Sequence, residues 1–336
     1  MTRTHFNPVE VLPHGAKSLA EKRRPPTWIA PMLATLTDER FSRQGWLFEP
    51  KLDGERCLVF GRRGTLRLLS RNQMRLNEKY PEIVEAFRSQ PTAVFIADGE
   101  VVTFEAGLTS FTKLQQRMQI AKPSPDLRRT VPVWLYMFDL LYVDRYDIRR
   151  VPLRYRKQVL RQTFRFHDAL RFTEHRETEG EAYYNEACRR RWEGVIAKDG
   201  DSVYVSGRTR AWLKFKCTHE QEFVIGGYTD PRGGRVGLGA LLVGVYQRGE
   251  LVYAGKVGTG FDHTTLQRLG KQLAQLESAR SPFVGDGLPR RGVHWVKPKL
   301  VAQIRFTEWT PTGKLRHPRF VGVREDKAPK EVVKEG

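Results

Sequence analysis

Apolar and polar positions alternate in short runs over the first two thirds of the chain. W-L-F-E-P-K from Trp46, C-L-V-F from Cys57, V-F-I-A-D-G-E-V-V from Val94, W-L-Y-M-F-D-L-L from Trp134 and A-W-L-K-F-K from Ala211 predict strands, being rich in β-branched and aromatic residues. Helical spacing predicts helices over Pro81–Arg88, over 153–164 directly after Pro152, and over 179–192. Strands outnumber helices without regular alternation, which favours an α+β domain over a doubly wound parallel sheet. After Cys217 the strands lie closer together, between glycine turns: F-V-I-G-G-Y from Phe223, G-A-L-L-V-G-V-Y from Gly239, L-V-Y-A-G-K from Leu251 and V-A-Q-I-R-F from Val301. One helix interrupts them, where Leu266, Leu269, Leu273 and Leu276 recur at helical intervals. This content suits a small β-barrel of the OB type. The division expected is a flexible arm or edge segment over 1–27, a domain over 28–217, the barrel over 218–327 and a charged, frayed tail over 328–336.

Composition then narrows the partners. The chain carries 58 Lys and Arg against 38 Asp and Glu, a formal charge of +20, and 40 of the basic residues are arginine. Both parts are basic, with 39 basic against 26 acidic residues through Lys216 and 19 against 12 beyond it. A polyanion is the economical partner, because binding releases its condensed counterions. No run is long and apolar enough to cross a bilayer and no signal core follows the basic N-terminus, so a soluble, intracellular protein is expected. Cys57, Cys188 and Cys217 are widely separated and odd in number, so neither a disulfide framework nor a cysteine zinc site is expected.

Candidate chemistry centres on F-E-P-K-L-D-G-E-R from Phe48, which puts Lys51 at a strand end before a glycine turn. A lysine nucleophile must lose its proton first. W-L-K-F-K projects Lys214 and Lys216 from one strand face, and their proximity would lower the pKa of Lys51 while neutralising a phosphate. The same alternation could equally describe a strand with one wet face. Asp98 and Glu100 in A-D-G-E also share a face, although Asp98 could simply cap a turn at Gly99. Glu193 opens E-G-V-I-A-K, which ends in Lys198, and scattered carboxylates of this kind suit a hydrated Mg²⁺ beside substrate phosphates. Phe138 is a core aromatic or a stacking platform, and Arg71 a phosphate contact or a surface ion pair. Gly237, Gly239 and G-T-G-F from Gly258 read as barrel turns, since they lack the G-K-[ST] ending of a phosphate loop.

Five pieces in fixed order, K-L-D-G-E-R, A-D-G-E-V-V, Y-M-F-D-L-L, E-G-V-I-A-K and W-L-K-F-K, together resemble the nucleotidyltransferase motifs of ATP-dependent DNA ligases. R-H-P-R-F-V-G-V-R-E-D-K from Arg316 resembles the closing motif of their OB domain, and the barrel details are similar to the ligase domain of bacterial ligase D. The resemblance spans nearly all of 28–327. It implies a nucleotidyltransferase (adenylation) domain with antiparallel-rich sheets followed by an OB-fold barrel. It further implies that Lys51 captures AMP from ATP, that Glu49 reads the adenine amino group and that Phe138 stacks on the purine. Arg56 and Glu100 would approach the ribose and 5′-phosphate side. Lys214 and Lys216 would hold the α-phosphate, with Lys198 a further phosphate contact. Glu193, with Glu100 or Asp53, would lie near Mg²⁺ or Mn²⁺. Arg71 would engage the phosphate of a nick, and Arg324, Asp326 and Lys327 would orient pyrophosphate as the small domain closes, before it swings away for DNA. A monomer acting on nicked duplex DNA, cytoplasmic and nucleoid-associated, is implied, with a Ku-like end-binding protein and separate polymerase or nuclease partners as candidate associates. Two rivals share some of these features: an RNA ligase or capping enzyme, and a non-enzymatic nucleic-acid-binding module.

Overall fold

The Glu55–Arg62 strand is buried on both faces. Cys57 and Val59 belong to one apolar cluster, Leu58 and Phe60 to another. This alternation marks a strand at the centre of a layered domain. The computed structural model describes residues 7, 9–62, 64–92, 94–217, 219–231, 236–285, 287–289 and 291–335. It falls into two compact units, Met1–Cys217 and Thr218–Gly336.

In the first unit one sheet runs in the order Glu21–Lys22, Tyr146–Asp147, Trp134–Val143, Val94–Val102, Glu55–Arg62, Thr65–Ser70, with Leu170–Phe172 joining Trp134–Val143 in parallel. The second sheet runs Arg176–Glu177, Trp46–Pro50, Gly194–Asp199, Gly207–Lys216, Met32–Leu36, antiparallel except for its last pair. Leu58, Phe60, Ile96, Phe138 and Leu141 of the first sheet share a core with Met32 and Trp212 of the second. Outside the first sheet, Pro81–Arg88 and Phe111–Met118 bury Ile83, Phe87, Phe111 and Leu114, joined by Val159 and Leu160 of Leu153–Thr163. Gly180–Arg189 covers the second sheet with Tyr183 and Ala187. The α+β reading holds, and the expected strands and helices are present.

The second unit is a sheet ordered Glu250–Val257, Leu241–Gln247, His219–Thr229, Val293–Phe306, flanked by Arg319–Val323 on the long last strand. A bridge from Thr259 to Arg319 and the hydrogen bond from Phe320 N to Thr259 O (2.9 Å) close it into a barrel. Asp262 caps the helix His263–Ala274, accepting from Thr265 N at 2.7 Å, and Leu266, Leu269 and Leu273 face the barrel core. Leu276 lies beyond the helix end, partly buried.

Three expectations are corrected. Of the two readings of the N-terminal segment the edge segment, not the flexible arm, describes 9–27, and order begins well before the expected Trp28: Val9, Leu12 and Ala16 are buried in the first core, and Glu21–Lys22 forms the edge strand against Tyr146–Asp147. The last residues are pinned, not frayed: Val332 is buried, its carbonyl accepts from Tyr246 N at 2.7 Å, and Gln221 Nε2 donates to Val333 O at 2.9 Å. Cys188 and Cys217 form a disulfide, with Cα atoms 5.1 Å apart. Their separation of 29 residues in sequence hid a pairing that only the packing of Gly180–Arg189 against the end of Gly207–Lys216 creates.

Candidate active site

Register across the second sheet decides which side chains meet. Glu49 lies beside Ile196 and Ile196 beside Lys214, while Lys198 pairs with Trp212 and Gly194 with Lys216. Directly paired residues point to the same side, so Glu49, Ile196, Lys198, Trp212, Lys214 and Lys216 share one face. Phe48, Val195, Ala197, Leu213 and Phe215 fill the core on the other. Lys51 continues the ladder, its N donating to Gly194 O at 2.9 Å. Two glycines permit this closeness. A Cβ on Gly54 would sit 2.2 Å from Val101 O, and one on Gly194, at φ +151°, 1.9 Å from Phe215 O.

The Lys51 ammonium contacts Glu193 Oε1. Burial alone would lower its pKa, but the carboxylate of Glu193, with Asp53 and Glu100 further off, outweighs burial and holds it above the ordinary lysine value. This overturns the expectation that Lys214 and Lys216 strip the proton from Lys51. They share its sheet face, but the groups that dominate its titration are acidic.

Arg56 is fixed from several sides. Its Nε and Nη2 donate to Asp98 Oδ1 and Oδ2, both at 2.6 Å, and Nη2 also donates to Met32 O at 3.0 Å. The Tyr204 hydroxyl donates to Asp98 Oδ2 at 2.6 Å and accepts from Met32 N at 2.9 Å. The guanidinium lies 4.7 Å from the centre of the Phe138 ring. Asp98 therefore caps no turn; Gly99 is mid-strand. Glu100 is the cross-strand partner of Arg56.

Glu49 is fully enclosed, with Lys157 Nζ 2.6 Å from Oε1 and Lys198 Nζ 2.6 Å from Oε2. Burial pushes its pKa up, but the two ammonium groups outweigh it and the net direction is down. Two cations share one carboxylate, and Lys198 yields: burial, reinforced by Lys157, draws it down to about 8. Its ammonium lies 4.1 Å from the Phe138 ring centre and 4.2 Å from that of Trp212. Lys198 thus stands at the Glu49 end of the face, engaged with that carboxylate, whereas the resemblance implied a phosphate contact.

Asp53 accepts from Phe111 N at 3.1 Å at the start of a helix, and Arg71 follows the Thr65–Ser70 strand, half-buried. In the second unit Arg324 grips Asp326 through Nε and Nη2, both at 2.8 Å, and Lys327 pairs with Glu222 at 3.1 Å. Burial would raise the Asp326 carboxyl, but Arg324 holds it below its usual value.

Sequence reasoning missed Lys157, Tyr204 and Trp212. A signal for Lys157 existed: Leu153, Arg156, Lys157 and Leu160 recur at helical spacing, so two cations occupy core positions of an amphipathic helix.

A divalent cation fits as a hydrated ion. Among the described residues no three His, Cys, Asp or Glu side chains converge on one point, so Glu193, Glu100 and Asp53 do not form a cage. Glu193 Oε2 is nevertheless buried without a hydrogen-bond partner among the described residues, leaving one oxygen for an ion held mainly by water and phosphate.

The site thus combines a partly buried amine, cations on one sheet face and a carboxylate enclosed by two ammonium groups beside Phe138 and Trp212. Residues 31–216 match the family described as ATP dependent DNA ligase domain, and 234–327 the ATP dependent DNA ligase C terminal region. The multifunctional non-homologous end joining protein LigD of Mycobacterium bovis is 39% identical over 91% of this chain and 40% of its own length. Its counterpart in Pseudomonas aeruginosa is 36% identical over 92% and 37%. The chain therefore spans about two fifths of these curated relatives. A solved mycobacterial DNA ligase D complexed with ATP and MES matches 91% of this chain and 98% of that one, at 35% identity and a TM-score of 0.65. With both catalytic-core regions matched in order, the chain belongs to the ATP-dependent DNA ligases.

Proposed function

We propose that this chain seals nicks in duplex DNA by way of an AMP carried on Lys51. One observation carries the reading: Lys51 lies partly buried at the end of a sheet face that presents Glu49 on one side and Lys214 and Lys216 on the other. That face is suited to a nucleotide lying along it, base toward Glu49 and phosphates toward the lysines. Lys51 Nζ attacks the α-phosphorus, a P–N bond forms, and the P–O bond to pyrophosphate breaks. Before attack the ammonium gives up one proton, for which Glu193 is the acceptor in contact, and the nitrogen sheds a second to solvent or the departing pyrophosphate as the P–N bond forms. Lys214 and Lys216 hold the α-phosphate as charge builds on it. Phe138 stacks on the base, Glu49 accepts from its amino group, and Arg56 with Glu100 meets the ribose. Arg324 and Lys327 orient pyrophosphate, and Arg71 meets the nick phosphate. A bound Mg²⁺ or Mn²⁺ supplies charge neutralisation at the triphosphate, and Glu193, Glu100 and Asp53 are the carboxylates that would hold it.

AMP then passes to the 5′-phosphate, and the 3′-hydroxyl displaces it. The charge of +20 supports recognition through the DNA backbone, indifferent to sequence. The names of the relatives support a setting in repair by end joining, with an end-binding protein as a candidate associate.

Intact mass after incubation with ATP and Mg²⁺ tests the reading. The expected result is one added AMP, removed by pyrophosphate, mapping to Lys51, absent from Lys51→Ala and transferable to nicked DNA. An adduct on another side chain, or sealing of nicked RNA alone, overturns it.

A further inference from the structure

Lys157 plays no part in the chemistry above, yet it is among the most thoroughly buried cations in the molecule, 1% exposed. It reaches Glu49 from the helix Leu153–Thr163, whereas Lys198 approaches from the same strand face as Lys214 and Lys216. Its Nζ donates to Glu49 Oε1 at 2.6 Å and to Thr173 O at 2.9 Å, and lies 4.7 Å from the Phe172 ring centre. A buried ion pair is often no more stabilising than an apolar replacement of similar volume. Leucine or methionine would satisfy the helix here, so the charge needs a reason beyond packing.

The reason lies in what Glu49 must do. At the 6-position adenine presents an amino donor and hypoxanthine a carbonyl acceptor. An ionised, fixed carboxylate accepts from the first and repels the second. A protonated or swivelling one can donate to the carbonyl and loses the distinction. Keeping a fully buried carboxylate ionised requires a cation that stays in place when nucleotide binds. Lys198 shares its surroundings with the ring proposed to stack on the base. Lys157, on the helix side and tied to Thr173 O, does not.

We infer that Lys157 is a positioning residue for nucleobase selection, holding Glu49 ionised and aimed so that the enzyme takes a 6-amino purine nucleotide in preference to a 6-oxo one. The inference deepens the function proposed above and rests on Glu49 facing the base.

Single-turnover nucleotidylation of the whole chain, read by intact mass with ATP and with inosine triphosphate, tests it. Lys157→Met is expected to reduce the ATP preference by roughly a hundredfold, chiefly by raising KM for ATP with little change in kcat, the order expected when a hydrogen-bonding group for the substrate is lost. Lys157→Arg restores the cation and is expected to recover the preference. Lys157→Gln keeps a donor without charge and is expected to resemble the Met variant, so the test does not hang on the folding of one protein. In a Glu49→Gln background, Lys157→Met is expected to add no further change, as coupled residues require. A preference altered less than about threefold in both uncharged variants, or equal and additive losses for both nucleotides, overturns the inference while leaving the ligase reading intact. Failure of the unmodified protein to take up either nucleotide sinks the underlying reading itself.

Discussion

At the scale of single residues, the site is governed by which charges burial forces together. Lys51 is nucleophilic only as the neutral amine, and the Glu193 carboxylate, with Asp53 and Glu100, holds its pKa above the ordinary lysine value. Below its pKa the neutral fraction of an amine rises tenfold per pH unit. Single-turnover adenylation at saturating ATP should therefore climb with unit slope in log rate against pH through neutrality and into the alkaline range, as rapid-quench measurements would reveal. A plateau near neutrality would mean that nucleotide binding itself reverses the grip of Glu193. Tyr204 offers a stability test. Its hydroxyl serves both Asp98 and Met32 N, so Tyr204→Phe strands Met32 N, while Asp98 keeps Arg56, and should cost about 1–3 kcal/mol in denaturant unfolding. Asp98 would lose one of the contacts that fix it against Arg56, so the rate of adenylation should fall alongside. The lysine pair was legible in the sequence because period-two alternation assigns both residues to one face, whereas Lys51, Glu49 and Phe138 were singled out through the ordered motifs that resemble a known family. Lys157 was not, since a cation at a core position of a helix shows its purpose only once its partner is known.

Among the elements, the ends of strands and helices carry the surprises. The Cys188–Cys217 bridge ties the end of Gly180–Arg189 to the residue after Lys216, and Cys217 N donates to Glu193 O at 3.0 Å. It braces the loop that presents Glu193 to Lys51. Closing a loop of this length should stabilise the first unit by about 3.6 kcal/mol through the unfolded state. A thiol count on the denatured, unreduced protein should find Cys57 alone, and a reducing agent should lower the unfolding midpoint. Three reactive thiols would contradict the bridge. In the second unit, removal of residues 329–335 uncovers the site of Val332, takes Val332 O from Tyr246 N and takes Val333 O and Glu335 N from the Gln221 side chain. That deletion should cost about 2 kcal/mol by loss of buried apolar area, read as a lower midpoint. A frayed tail would cost nothing. Composition alone suggests a frayed tail, because one buried valine among charged neighbours carries no period to recognise.

For the whole molecule, charge sets the terms of association. With both units basic, binding to nicked duplex should weaken by roughly a thousandfold or more between about 50 and 200 mM salt, whatever the flanking sequence. Fluorescence anisotropy on two unrelated nicked duplexes would check this, and a flat salt response would remove the backbone-contact account. No helix among the described residues is long and apolar enough to cross a membrane. The sequence by itself determined the α+β core, the barrel, the faces of the strands and the chemical types gathered in the motifs, because periodicity and local spacing are properties of neighbouring residues. Only the tertiary structure decided that Glu193 claims Lys51 across 142 residues, that Lys157 claims Glu49 across 108, and that two distant cysteines join. Such pairings depend on how sheets and helices stack, and in a buried site the nearest opposite charge, however remote along the chain, fixes the protonation on which the chemistry turns.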